Sequence, residues 1–320
     1  MTKSIERKLK LLGTFTSELL KLGVNVDKIQ LKQLYDNLDP RIRRDAKIIL
    51  LPIAATQGVV YGMDNKTGMP VPFRFSRASS ATYFDSSMDI KLAGNDMPRI
   101  DYGNYTDGVK LLIEKEKTNF LTGSDFSIAS SDRNNWTVTP YTSADFDTDH
   151  AIFTIISQGG AARIQRSCTL DSGNHNVSIY GNNHGHRITF GSFINAIVDT
   201  QAFLVGDNYR IHWCNFNVTA SGNVTIRPYL SSNNGWYDNE QLFVKYIQIE
   251  DGAGQTSYIP TTDSPATRSA DFLSIDLTNN SEVYIKTSKG DEITITKPAG
   301  LWNIHEDISY SDGIEQLIIK

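Results

Sequence analysis

Ile211-His212-Trp213-Cys214-Asn215-Phe216-Asn217-Val218 leads through Ser221-Gly222-Asn223 into Val224-Thr225-Ile226-Arg227-Pro228-Tyr229. Apolar residues recur at short, near-alternate spacing on both sides of a Ser/Gly/Asn turn. That is the signature of two strands joined by a hairpin. The same pattern extends outward to Leu242–Ile249 on one side and to Arg187–Phe193, Val177–Tyr180 and Ile152–Ile156 on the other. Gly159-Gly160, Gly181-Asn182-Asn183 and Ser231 to Gly235 separate these runs. Many short strands at this spacing predict a mainly β chain, with an antiparallel sandwich or jelly roll over about residues 119–265. Phe272–Leu277, Val283–Lys286, Glu292–Thr296 and Leu317–Ile319 predict a further small β module over 266–320.

Toward the N-terminus the period changes. Residues 4–22 read as a helix, with Ile5, Leu12 and Leu19 seven apart and Phe15 and Leu22 in the second seam position. Gly23 suits a C-cap. Asp27 followed by Gln30 suits a capping box for a second helix carrying Leu31, Leu34, Tyr35 and Leu38, with Pro40 beyond its end. The unit reads as a helical hairpin packed on itself or as an oligomerising stalk. The seam is thin, so residues 1–46 are expected to be an anchor whose apolar face is buried by other copies or other proteins. A symmetric trimer is the first expectation and a dimer the second. Residues 47–118 read as short strands around Pro52 and Gly58, followed by an extended arm.

Charge divides in the same way. The 320 residues carry a net charge of −5. Residues 1–47 hold 11 Lys/Arg against 6 Asp/Glu, and the remainder is acidic. A basic segment on an acidic body fits docking on an acidic surface, or else a solvated helix face, and argues against a nucleic-acid partner for the whole chain. No apolar run reaches the ~18 residues a membrane span needs, and no secretory signal is expected. Cys168 and Cys214 are expected as two buried thiols.

One block is more specific. Phe75-Ser76-Arg77-Ala78-Ser79-Ser80-Ala81-Thr82-Tyr83 is followed by Pro98 to Tyr102, Leu111 to Glu114 and Thr118-Asn119. Further on come Gln248 to Asp251, Thr256 to Thr261, and Ala266-Thr267-Arg268-Ser269-Ala270-Asp271. In this order the segments resemble a block found in tail and fibre proteins of tailed bacteriophages, over about residues 73–275. The resemblance implies a virion protein, assembled in the bacterial cytoplasm, with a carbohydrate-binding-like jelly roll. It implies other capsid or tail proteins as partners. It does not say whether the protein sits on the head or the tail, or what it binds, host-surface glycans being one candidate. Residues 1–47 lie outside it, and the central sandwich matches in pattern more than in detail.

The residues themselves offer several sites. Arg77 and Arg268 can act as forks for Asp101, Glu114 and Asp271, forming a structural clasp across the sandwich. A phosphate or sugar site at these arginines is the alternative. Trp236, Tyr237 and Tyr229 are candidate stacking faces for a sugar, against a core or subunit-contact role. Trp136 and Trp213 read as core. Asp145, Asp147 and Asp149 alternate as calcium ligands can, but lack the Gly and the distal Glu of a helix–loop–helix calcium site. His175, His184 and His186 are a weak zinc pattern. No cofactor is expected. No nucleotide-binding, hydrolase or metalloprotease signature is present. A glycan hydrolase remains the enzymatic alternative, drawing its carboxylates from Glu114/Glu116 and Glu250/Asp251. The run Trp302 to Asp307 is expected to be a subunit contact.

Overall fold

A computed structural model describes all residues except 1–2, 104–108, 125–135, 141, 147–149, 158–161, 183–187, 191–195, 205–209, 230–236, 289 and 309–310. The chain is mainly β, its sheets antiparallel, with a few helices that begin at the N-terminus. It divides into two compact units. One comprises residues 1–116 and 269–320, and the other is residues 117–268, inserted between them.

In the first unit one sheet path runs Glu292–Lys297, Ser281–Thr287, Ser311–Ile319, Ile48–Thr56, Val59–Asp64, Pro70–Ser76, Phe272–Leu277, Gly300–Asn303. Lys110–Glu114 pairs with Ser311–Ile319 and with Ile100–Asp101. The arm and the C-terminal module expected as separate pieces are therefore neighbours in one sheet. Ile48, Ile49 and Leu50 pair with Ile319, Ile318 and Leu317. Residues 62–72, in the stretch expected as an extended arm, are the turn and flanks of a hairpin. Asp64 Oδ1 accepts the backbone N–H groups of Lys66 and Thr67, and Met63 pairs with Pro70.

The sequence Ile48-Ile49-Leu50-Leu51-Pro52-Ile53-Ala54-Ala55 is apolar without alternation because its strand is covered on both faces. Leu50 joins a core with Val60, Phe73, Ile113, Ile285 and Leu317. Ile49, Leu51 and Ala54 face the opposite way, into a cluster with Phe15, Leu19, Leu31, Leu38 and Ile318. Pro52 has no N–H to give the ladder, and the register shifts between Leu50 and Ala55.

The second cluster corrects the reading of the N-terminus. Helix α1 (Lys3–Lys21) buries Leu12, Phe15 and Leu19 on this chain's own sheet and on α2 (Lys28–Asp36), whereas Ile5 and Leu22 are exposed. The helical segment is thus a layer of the first unit. Gly23 ends α1 at φ +78°, and the Val24 N–H donates to Leu19 O. Asp27 caps α2, accepting from the Ile29 and Gln30 N–H groups. The reciprocal half of the expected box is replaced, since Gln30 Oε1 accepts from the Tyr102 hydroxyl. Pro40 opens a third helix, α3 (Pro40–Asp45), capped by Asp39, because its fixed φ suits a first helical position. Buried Asn65 joins the layers. It accepts from the Tyr35 hydroxyl and donates to Arg43 O and Ala46 O.

The run from Trp302 belongs to this unit's interior rather than to a subunit contact. Trp302 and Ile304 are buried, the Trp302 indole N–H donates to Asp307, and Lys297 pairs with the same carboxylate.

In the second unit the larger sheet runs Thr142–Phe146, Ala151–Ile155, Gln241–Asp251, Gly173–Asn182, Arg210–Val218, Ala196–Leu204, with Lys117–Asn119 and Ala266–Arg268 added beside Gln241–Asp251. Smaller sheets are formed by Gly222–Ile226, Ile164–Leu170 and Thr137–Val138, and by Thr189–Phe190 with Pro228–Tyr229. Phe153, Val177, Ile179, Phe216, Leu242 and Ile249 of the large sheet share one core with Ile164, Leu170, Val224 and Ile226 of the small one. Two antiparallel sheets over a common core are consistent with the expected β-sandwich. Trp136 packs edge-on to Phe153 in that core, as read from sequence.

Candidate functional site

The motif residues gather in two buried polar networks, one in each unit. In the first unit, Asp271 stands at the start of Phe272–Leu277, just after the chain returns from the insertion. Glu114 ends Lys110–Glu114, just before the chain leaves. The Asp271 N–H donates to Glu114 O at 2.8 Å, and the Glu114 N–H donates to Asp271 Oδ2 at 2.9 Å. The two crossings are thereby stapled to each other.

Two guanidinium groups hold the staple. Arg77 Nη1 donates to Asp271 Oδ1 at 3.1 Å, and its other nitrogens reach Ser79 O, Gly94 O and Met97 O. Arg99 pairs with Asp271 Oδ2 at 2.5 Å and with Glu114 Oε2 at 2.8 Å, and it also donates to Thr82 O. Both guanidinium groups are fully enclosed. Burial by itself would lower the Arg99 pKa, but the charges of Asp271 and Glu114 outweigh it and hold the group above its ordinary value. The serine clusters allow close backbone approach here. The Ser269 N–H donates to Ser79 Oγ at 2.9 Å.

Arg77, Glu114 and Asp271 meet here, whereas Arg268, expected in the same clasp, belongs to the second unit. Arg99, which shares Asp271 with Arg77, was not singled out there. Its signal lay in Pro98-Arg99-Ile100-Asp101, where Arg99 and Asp101 flank Ile100, which packs against the apolar core. Arg268 is also buried, on the second unit's strand Ala266–Arg268, opposite Lys117. All three arginines are buried, at 1 % exposure or less, which disfavours a phosphate or sugar site at Arg77 and Arg268.

Asp101 takes a place beside this cluster. Its Oδ1 accepts the Phe84 N–H at 2.7 Å, its Oδ2 accepts the Gly103 N–H at 3.3 Å, and Lys110 Nζ lies 3.6 Å from Oδ2. Burial raises the Asp101 pKa, with Lys110 opposing. Burial also draws Lys110 down to about 8, against the pull of Asp101 and Glu114.

In the second unit the anchor is Asn119, which the sequence reading quoted without assigning a role. Its amide donates to Ser124 Oγ and Ile259 O and accepts from the Leu121 and Ile249 N–H groups. Every hydrogen-bonding position of a buried amide is used. Gln248 Oε1 accepts the Ile259 N–H, Glu250 accepts from the Thr256 N–H and hydroxyl, and Tyr258 stacks on Tyr246 with ring centroids 3.9 Å apart. Glu114 and Glu250, offered as hydrolytic carboxylates, are both buried and committed to these networks rather than facing a groove.

Of the sugar-stacking candidates, Tyr237 is 62 % exposed, with its backbone N–H fixed by Glu240 Oε2. Tyr229 is half-buried, its hydroxyl accepting from Arg163 Nη1 at 2.9 Å with the guanidinium over its ring. Trp236 lies outside the described residues. Asp145 is exposed on Thr142–Phe146, while Asp147 and Asp149 lie outside them. His175 is buried, stacked on Phe216, and its Nε2 lies 2.9 Å from Asp171 O, whereas His184 and His186 are not described. Among the described residues no group of three metal-ligating side chains occurs, and no helix is long and apolar enough to cross a membrane. Of the two thiols expected to be buried, Cys214 is, while Cys168 is only partly so, though desolvation still pushes its thiol up to about 12.

No protein-family model matches the chain, and a search of curated proteins finds no match either.

Proposed function

We propose that the chain is a structural component of a tailed-phage virion, a fibre or decoration protein whose inserted sandwich serves adhesion to host-surface glycans. One observation carries the reading. The segments that resemble phage fibre proteins, far apart in sequence, supply the buried networks that hold the two crossings together in the first unit and fix the ends of the inserted segment in the second. Such an arrangement is a framework that accepts a different sandwich without rebuilding its base. The basic helical segment of residues 1–47 supplies the docking part, and exposed Tyr237 supplies an aromatic face suited to stacking on a pyranose. Of the four carboxylates offered for hydrolysis, Glu114 and Glu250 are used in structural bonds, which favours binding over catalysis, while Glu116 and Asp251 are exposed.

The test has two arms. Antibody labelling of phage particles should decorate a head or tail feature, and the purified chain should bind a subset of a glycan array, with Tyr237→Ala weakening that binding about tenfold or more. Labelling without glycan binding would leave an assembly protein. Unlabelled particles would sink the virion reading, and sugar release from host capsule would favour the hydrolase.

A further inference from the structure

We propose that Lys110 and Asp101 join in an intramolecular isopeptide bond, closing a covalent ring over residues 101–110. The inference does not depend on the function proposed above.

The two residues are register partners on the antiparallel strands Ile100–Asp101 and Lys110–Glu114, so their side chains leave the same face side by side. Lys110 Nζ lies 3.6 Å from Asp101 Oδ2, with only 3 % and 5 % of the two side chains exposed. Each carboxyl oxygen accepts a backbone N–H, from Phe84 on Oδ1 and from Gly103 on Oδ2. Donors fixed on both oxygens polarise the carbon they share and can hold the charge that develops when a nucleophile adds. The lysine stem is also seated. A methyl group at Gly313 would lie 2.8 Å from Lys110 Cγ, so the strand Ser311–Ile319 carries no side chain where the lysine runs.

Amide formation between a lysine and a carboxylic acid requires the amine uncharged and the acid protonated. Burial moves both groups in that direction, lowering Lys110 and raising Asp101. Arg99 and Glu114 are the other charged groups bearing on the pair. Glu114 draws Lys110 upward and also raises Asp101, while Arg99 has the opposite effect on each. Ion pairing opposes the reaction, because the charged pair is unreactive, and the Phe84 N–H opposes it too, by favouring the ionised form of Asp101. A buried site with the reacting groups fixed side by side favours it, by removing the cost of bringing them together.

The atoms balance without any co-reactant. The Nζ lone pair adds to Cγ of the protonated carboxyl group. The C–OH bond then breaks, and the hydroxyl leaves as water with one proton from the amine. One C–N bond forms, and no electron is gained or lost.

The test is the mass of the intact purified chain. It should fall about 18 Da below the sequence mass, one water. Trypsin should then fail to cut after Lys110, leaving a peptide of residues 100–115 whose fragmentation shows no breaks between 101 and 110. Lys110→Met, or Lys110→Arg if the first variant folds poorly, should restore the full mass. A wild-type chain of full mass that is cut normally after Lys110 would overturn the proposal. So would a water loss that persists in the lysine variants, since Asp107-Gly108 in the same peptide can lose water as a cyclic imide.

Discussion

Asp271 shows what a single side chain can decide. Its two oxygens receive Arg77, Arg99 and the Glu114 N–H, all away from water. A buried charge network is weak evidence of net stability, but removing one partner strands the others in a low-dielectric interior. Asp271→Ala should therefore cost about 3–5 kcal/mol, a large share of a typical domain's margin. Arg77→Ala should lose somewhat less, because its remaining donors reach only backbone carbonyls. Urea unfolding followed by circular dichroism measures both, and a parent-like midpoint for Arg77→Ala would remove the clasp. Cys168 gives a second test at this scale. With its thiol pushed up to about 12 by burial, almost no thiolate exists at pH 8. Neither cysteine should react with Ellman's reagent until the chain is unfolded, when both should. The carboxylates of the clasp were legible in sequence because acidic residues inside apolar strands require partners. Arg99 was harder to see, since a lone arginine between Pro98 and Ile100 reads equally well as a solvated strand residue.

At the scale of the element, helix α1 shows how a correct pattern can be given the wrong partner. Heptad spacing places Leu12, Phe15 and Leu19 on one face, and the helix, its Gly23 stop and the Asp27 cap all stand where the sequence put them. Spacing does not say what covers that face. The complementary signal sat thirty residues on, in the unbroken apolar run Ile48 to Ala55, which needs cover on both sides of its strand. Phe15→Ala should then destabilise the first unit by about 3–5 kcal/mol, the usual cost of emptying a buried aromatic site. Ile5→Ser and Leu22→Ser, on exposed positions, should stay within about 0.5 kcal/mol. Thermal melts of the three variants provide the check. Equal losses at Ile5 and Phe15 would restore the seam as the buried surface, and melting points that rise with protein concentration would show that copies cover it.

For the whole molecule the decisive feature is where the chain leaves the first unit and where it returns. The sequence indicated a sandwich near 119–265 and strands after it. It could not show that the later strands complete the earlier sheet, because pairing Ile48 with Ile319 joins residues with no local signal in common. Once that pairing is seen, residues 117–268 become an insertion whose ends are already fixed on each side. Lys117 and Arg268 are ladder partners within the second unit, and Glu114 and Asp271 exchange backbone hydrogen bonds within the first. Each unit also has its own apolar core. Closing so short a gap costs little loop entropy, since the ends are held together by the Glu114–Asp271 hydrogen bonds. Replacing residues 117–268 by a short Gly/Ser linker should therefore leave a first unit that unfolds cooperatively, and residues 117–268 alone should fold as a sandwich. Circular dichroism and calorimetry on the two pieces decide the matter. If either piece is unfolded while the full chain melts in one transition, the units depend on each other, and the framework for exchangeable sandwiches loses its physical basis.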